Sequence, residues 1–294
     1  VFHVLLLTLF SQIISTFYRK FLQQNAANHF NTPFNLTSHF IKIKNYNSLY
    51  IDICATQCYN SYVRCYMSKE KIIYHGSHNI IETPTFGIGS PNNDYGLGFY
   101  CTEYIDLAKE WACDQLSGGY ANKYSIDMAG LKVLNLNAKE YSIIHWVSVL
   151  LKNRKVTLNT DIEREGMYYI LDNFPVDTEN SDVIIGYRAN DSYFSYARDF
   201  LSNAITVKRL TQVMRLGNLG NQIVIKSKLA FSRLKFLGYE TAPQEIHYPL
   251  RKKRDELARS AYLSDRKGSI LSSDSLLLVD IIRGGIKPND PRLQ

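Results

Sequence analysis

The sequence predicts an α+β fold on three observations. Short apolar runs rich in β-branched and aromatic residues, KIIYHGS (71–77), LGFYCT (97–102), DVIIGY (182–187) and NQIVIKS (221–227), read as strands. Longer amphipathic stretches read as helices. The two kinds do not follow a regular strand–helix–strand alternation, which disfavours a doubly wound parallel sheet.

Taken in order, KIIYHGS ends in a polar turn, and IIETPTFGIGSPNNDYG (80–96) is a loop by its Gly, Pro and Asn content. In EYIDLAKEWACDQL (103–116), Ile105, Leu107, Ala108, Trp111 and Ala112 fall near helical spacing. ANKYSIDM (121–128) and LKVLNL (131–136) flank a turn at Gly130 and suggest a hairpin. KEYSIIHWVSVLLKNR (139–154) reads as a second helix, and DSYFSYARDFL (191–201) as another, with Asp191 as its N-cap. TVKRLTQVMRL (206–216) is a helix stopped by GNLGN, and NQIVIKS is the last clear strand. Beyond Gly238 the chain turns charged and helical and ends DIIRGGIKPNDPRLQ. The basic run RKKRDELARS (251–260) alternates with acids and reads as a solvated helix face rather than a phosphate-binding patch.

The whole 294-residue chain carries +7, with 45% hydrophobic and 21% charged residues, an ordinary globular balance. Residues 1–66 hold five basic side chains (Arg19, Lys20, Lys42, Lys44, Arg64) against Asp52, so +4 of that charge is theirs and only +3 belongs to the rest. A nucleic-acid-binding protein is therefore disfavoured. The five cysteines (Cys54, Cys58, Cys65, Cys101, Cys113) form no Cys-x-x-Cys pair and have no His at zinc spacing, so free thiols are expected and a metal site is not.

The first 66 residues differ from the remainder. At average usage of about 7%, roughly five glycines belong in the first 75 positions; none occurs before Gly76. VFHVLLLTLFSQII (1–14) is apolar, but lacks a basic leader and a small-residue cleavage site and is short for a membrane span. Residues 1–66 read as an N-terminal extension, or as sequence upstream of translation that begins at Met67. The expected organisation is an extension over 1–66, a domain over 67–240 and a helical C-terminal extension over 241–294.

Gly96-Leu97-Gly98 precedes a strand and lacks a third glycine, so it is no dinucleotide fingerprint. His75 by itself reads as a structural histidine, although Gly76 lets a ligand approach the backbone. The ordered set YHGS, a Gly-rich loop, GLGFYCT and a helix bearing Trp111 resembles the ADP-ribosyltransferase superfamily, in its diphtheria-toxin and poly(ADP-ribose)-polymerase branch. YGLGFYCTEYIDLAKEWA, DVIIGYRANDSYFSYARDFL and LGNLGNQIVIKS extend the resemblance, over about residues 70–240, to a bacterial family of uncharacterised ADP-ribosyltransferase-like proteins.

That resemblance implies split antiparallel sheets with flanking helices. It implies an NAD⁺-dependent mono-ADP-ribosyltransferase, with His75 bonding a ribose hydroxyl, Gly76 and Ser77 holding the carboxamide, and Gly98 also binding the cofactor. Tyr100 and Trp111 would stack on nicotinamide, and Gln222 stands where the family carries its catalytic Glu. Gln222 lacks the charge, so Asp191, or less favourably Glu163 or Glu165, would supply it, while Arg188 would bind the pyrophosphate or else pair structurally with Asp191. A cytoplasmic bacterial toxin or effector is implied, with an unknown macromolecular acceptor (nucleic acid only in that role), a small antitoxin partner and no membrane. A catalytically silent NAD⁺- or ADP-ribose-binding module is the alternative.

Overall fold

The computed structural model describes residues 70–188, 191–215, 220–266 and 276–293, with only the backbone of 191–193 and 264–266. Residues 1–66, with Cys54, Cys58 and Cys65, lie outside them, as does Met67. All described residues fall in one compact unit, Asn60–Gln294.

The elements are β1 (Glu70–Ser77), β2 (Phe99–Cys101), α1 (Ile105–Ala112), β3 (Gly119–Asp127), β4 (Val133–Asn135), α2 (Ile143–Asn153), α3 (Asp161–Asn173), β5 (Val183–Tyr187), α4 (Asp191–Leu201), α5 (Val207–Val213), β6 (Asn221–Ile225), α6 (Lys228–Ser232), β7 (Leu234–Ala242), α7 (Gln244–Arg266) and α8 (Leu278–Arg283). They build two sheets, β1-β3-β7 and β2-β6-β5-β4, so the fold is mixed α+β. All pairs are antiparallel except β4 with β5. An isolated bridge, Tyr74 to Thr102, ties the sheets together through reciprocal backbone bonds of 2.8 and 2.9 Å.

Alternation along the strands explains the packing. On β6, Ile223 and Ile225 enter a core shared with Ile73, Tyr124 and Ile126 of the other sheet, while Val224 enters a second core with α2, α3, α4, α5 and α8. Burial on both faces is why NQIVI lacks a polar alternation. Trp146, Phe174, Phe200 and Leu210 fill that second core.

Several expectations change. The Gly130 turn exists, with Gly130 at φ +71°, but its flanks form no hairpin: β3 pairs with β1 and β7, and β4 with β5. The chain changes sheets across this turn, with Met128 and Leu131 both in the core between them. NQIVIKS is not the last strand. β7 follows, its alternation interrupted where the register slips opposite Lys123 and Tyr124, at Gly238 with φ +115°. Leu237 is skipped by the pairing and is half exposed. Helix α3 is present too, started by a Thr160–Glu163 capping box. β7 spans the expected boundary at 240, and Leu278, Ile281, Ile286 and Leu293 belong to the main core. The basic run is also only partly solvated. Lys252 and Lys253 are exposed, whereas Arg251 and Arg254 turn back onto α1.

Helix α1 crosses β1 very closely. A Cβ added at Gly76 would lie 2.1 Å from the Ala108 carbonyl oxygen and 2.9 Å from the Ala112 nitrogen. The helix backbone therefore requires glycine there. Gly76→Ala is expected to cost about 1–3 kcal/mol through overpacking, read as a lower urea midpoint. Leu278, fully buried against Gly166, is expected to cost about 2–5 kcal/mol as Leu278→Ala. The exposed Leu229→Ala should stay within about 0.5 kcal/mol in the same experiment.

Candidate functional site

Near the Tyr74–Thr102 bridge, residues of both sheets line a cleft of about 530 Å³. Of the residues singled out from sequence, His75, Gly76, Gly98, Tyr100, Trp111, Arg188 and Gln222 line it.

His75 comes from the end of β1 and Tyr100 from β2. The His75 Nδ1 lies 2.7 Å from the Tyr100 carbonyl oxygen. A carbonyl only accepts, so Nδ1 carries the proton and Nε2 keeps its lone pair. The imidazole stacks on Phe99 with centroids 4.2 Å apart. Burial lowers its pKa below 6.5, outweighing the carbonyl bond, so the ring is neutral at pH 7. Asn122 bonds the carbonyls of His75 (3.3 Å) and Asn79 (3.1 Å) and accepts from the Ile81 amide (2.9 Å), fixing the turn that follows.

The Gly-Leu-Gly turn wraps the Tyr100 hydroxyl, which donates to the Gly96 carbonyl at 2.5 Å and accepts from the Tyr95 amide at 3.1 Å. Burial and the Asp94 charge raise the Tyr100 pKa, so the phenol stays protonated. Gly96 takes φ +72°, and a Cβ at Gly98 would lie 2.6 Å from Val224 Cγ1. Tyr100 is the direct partner of Val224, and Gln222 lies two residues along β6 on the same face. Gln222 is 7% exposed, and among the described residues its Oε1 has no partner.

Trp111, near the end of α1, lies under Arg188, whose Cζ is 3.7 Å from the ring centroid. One face of the indole is thus already covered. Arg188 Nη1 is buried and, among the described residues, unpartnered. Burial above all, then the Arg251 guanidinium, pushes the Arg188 pKa down to about 9.

Ser77 does not line the cleft; its Oγ accepts from the Asn79 amide at 3.1 Å and closes the turn. The side chain of Asp191 lies outside the described residues, and α4 includes Asp191, the residue expected as its cap. Glu163 and Glu165 are excluded from the cleft by their place on α3. Glu163 accepts from the Asn159 and Thr160 amides at 2.6 and 2.9 Å, bonds that hold its carboxyl below the usual range, and Glu165 is exposed.

Sequence reasoning missed Asp94 and Arg154. Arg154 Nε lies 2.7 Å from Asp94 Oδ1, and Asp94 is only 4% exposed. Both line the cleft, and Asp94 is the one carboxylate among its described lining residues. The available signal was an acid before the Gly-Leu-Gly turn, one residue from a tyrosine whose hydroxyl crosses to the Tyr187 carbonyl at 2.6 Å. Among the described residues no cluster of His, Cys, Asp or Glu could hold a metal, and no helix is long and apolar enough to cross a membrane. Cys101 and Cys113 are buried free thiols.

The geometry offers a neutral imidazole acceptor, an aromatic wall, a buried amide and two guanidiniums against one carboxylate. Such a lining suits an anionic ligand bearing hydroxyls. No curated protein matches the chain, and no solved structure matches it. The model of a family described as "Protein of unknown function (DUF3990)" matches residues 71–236, more than half of the chain and every described residue that lines the cleft, so the chain belongs to the DUF3990 family.

Proposed function

We propose that this chain is an NAD⁺-dependent mono-ADP-ribosyltransferase. The observation that carries the reading is the convergence of His75, Tyr100 and Gln222, distant in sequence, on one cleft. The two-sheet α+β architecture is compatible with an ADP-ribosyltransferase fold, and the volume of about 530 Å³ lies within the range of ordinary ligand sites.

In this reading His75 Nε2 accepts a hydrogen bond from the nicotinamide ribose. The face of Tyr100 stacks on nicotinamide, and the locked hydroxyl keeps that face in place without further entropy loss. Trp111 serves as the platform for Arg188, which takes the pyrophosphate. The C1′–N bond breaks with its electron pair leaving on nicotinamide, the acceptor forms its bond to C1′, and the acceptor's proton passes to solvent. Positive charge develops on the ribose, where Gln222 Oε1 can accept a hydroxyl bond but brings no charge. Compensation has to come from Asp94, held by Arg154, or from Asp191. Transfer of a single unit fits the neutral residue at 222, because elongation needs an acceptor-site acid. An intracellular bacterial toxin or effector is the setting in which such a chain would act.

The neutral amide at 222 also favours a second reading, a silent NAD⁺-binding module. Nicotinamide release from NAD⁺ by the full chain separates the two: turnover is expected, and binding without release supports the module. His75→Ala should reduce release by about tenfold or more, as loss of one positioned hydrogen bond requires. Unchanged release in that variant would remove His75 from the reaction. Gln222→Glu is expected to raise turnover about five- to tenfold, because a charge-assisted bond is about twice as strong as a neutral one. Because the His75 pKa is lowered, turnover should be flat from neutral pH upward and fall only on acidification below 6.5, where Nε2 gains a proton.

A further inference from the structure

Helix α1 has eight residues, and the side chain at its N-cap, Tyr104, makes no capping bond. A helix so short is not stable by itself and takes its position from what packs on it. Two arginines of α7, three residues apart and outside the family match, grip its last turn. Arg254 Nε donates to Glu110 Oε2 at 2.9 Å and Nη2 to Oε1 at 2.8 Å, a two-point bond to a carboxylate that is 3% exposed. Arg251 Nη1 donates to the Cys113 carbonyl at 2.8 Å, satisfying a backbone acceptor just past the helix end.

Trp111 lies between these anchors, one residue after Glu110 and two before Cys113. Its ring carries Arg188, whose buried Nη1 has no partner among the described residues. The charges around Arg188 are Arg251 and Asp255 from α7, Glu110 from α1, and Asp94 from the loop before β2. Thus α7 both fixes the platform and shapes the field at the cation that faces the cleft.

We propose that α7 completes the binding site: Arg254 and Arg251 are positioning residues that hold Trp111 beneath Arg188 and so set the affinity for a phosphate-bearing ligand. This rests on the reading in which Arg188 takes the pyrophosphate of NAD⁺. It makes the family-matched segment insufficient for binding without the helix that follows it.

The test is titration of the full 294-residue chain with ADP-ribose, followed by calorimetry and tryptophan emission, in the wild type, Glu110→Met/Arg254→Met and Arg251→Gln. Replacing both members of a buried pair by apolar groups is often neutral for stability. The double variant is therefore expected to keep its thermal midpoint while binding ADP-ribose at least tenfold more weakly. Its Trp111 emission should rise as the overlying guanidinium moves away, against the constant background of buried Trp146. Arg251→Gln is expected to weaken binding at least threefold, and it decides the matter if the double variant does not fold. Wild-type affinity in the folded variants, with nicotinamide release intact, overturns the positioning role alone. A wild type that binds no ADP-ribose overturns it together with the proposed activity.

Discussion

The contact on which the site depends is the passage of α1 across β1. At Gly76 the helix backbone fills the place of a side chain, and Ala108 and Ala112, both fully buried, are the small residues that allow the approach. This contact sets how far α1 stands from the sheet. It thereby places Trp111 at the edge of the cleft and Arg188 above it. The Tyr74–Thr102 bridge does the same for the other wall, bringing the His75 ring to the Tyr100 carbonyl. Interiors packed to crystal density do not absorb a displaced helix locally, so a shift of α1 at Gly76 is transmitted to the cleft wall.

The electrostatics follow from that enclosure. Burying charge is unfavourable unless it is paired, and the Asp94–Arg154 pair meets the condition inside the wall. Arg188 does not meet it in the same way. It has an aromatic face, nearby opposite charges on three elements and a nitrogen without a bond among the described residues. A neutral imidazole and a buried guanidinium in one cleft favour hydroxyl donors and anions together, a combination that sugar phosphates carry. Gln222, whose Oε1 has no partner among the described residues, adds an acceptor to the same wall.

The described C-terminal residues belong to this scaffold. Leu278 occupies the space over Gly166, the Tyr169 hydroxyl donates to the Ile286 carbonyl at 3.1 Å, and Arg209 Nη2 reaches the Tyr262 carbonyl at 3.2 Å. Helices α7 and α8 thus brace the helical layer behind sheet β2-β6-β5-β4 and the short helix that carries Trp111.

Much of the fold was legible because it is written locally. DVIIGY and NQIVIKS read as strands since two-sided burial leaves an unbroken apolar run, and the helix periods of 103–116 and 139–154 appear as α1 and α2. β7 escaped because the bulge beside Gly238 breaks the period of two on which strand reading rests. Glu163 misled because an acid that caps a helix looks in sequence like an acid free for chemistry. The acid at position 94 is visible before the Gly-Leu-Gly turn, but it and Arg154 gain meaning only when α2 is packed against the loop before β2. By itself, then, the sequence determined the type of most elements and singled out His75, Tyr100 and Gln222. Only the tertiary structure decided which sheet each strand joins, why position 76 is glycine and which charges face the cleft. Periodicity is a property of neighbours along the chain, whereas close approach and desolvation depend on residues that folding brings together.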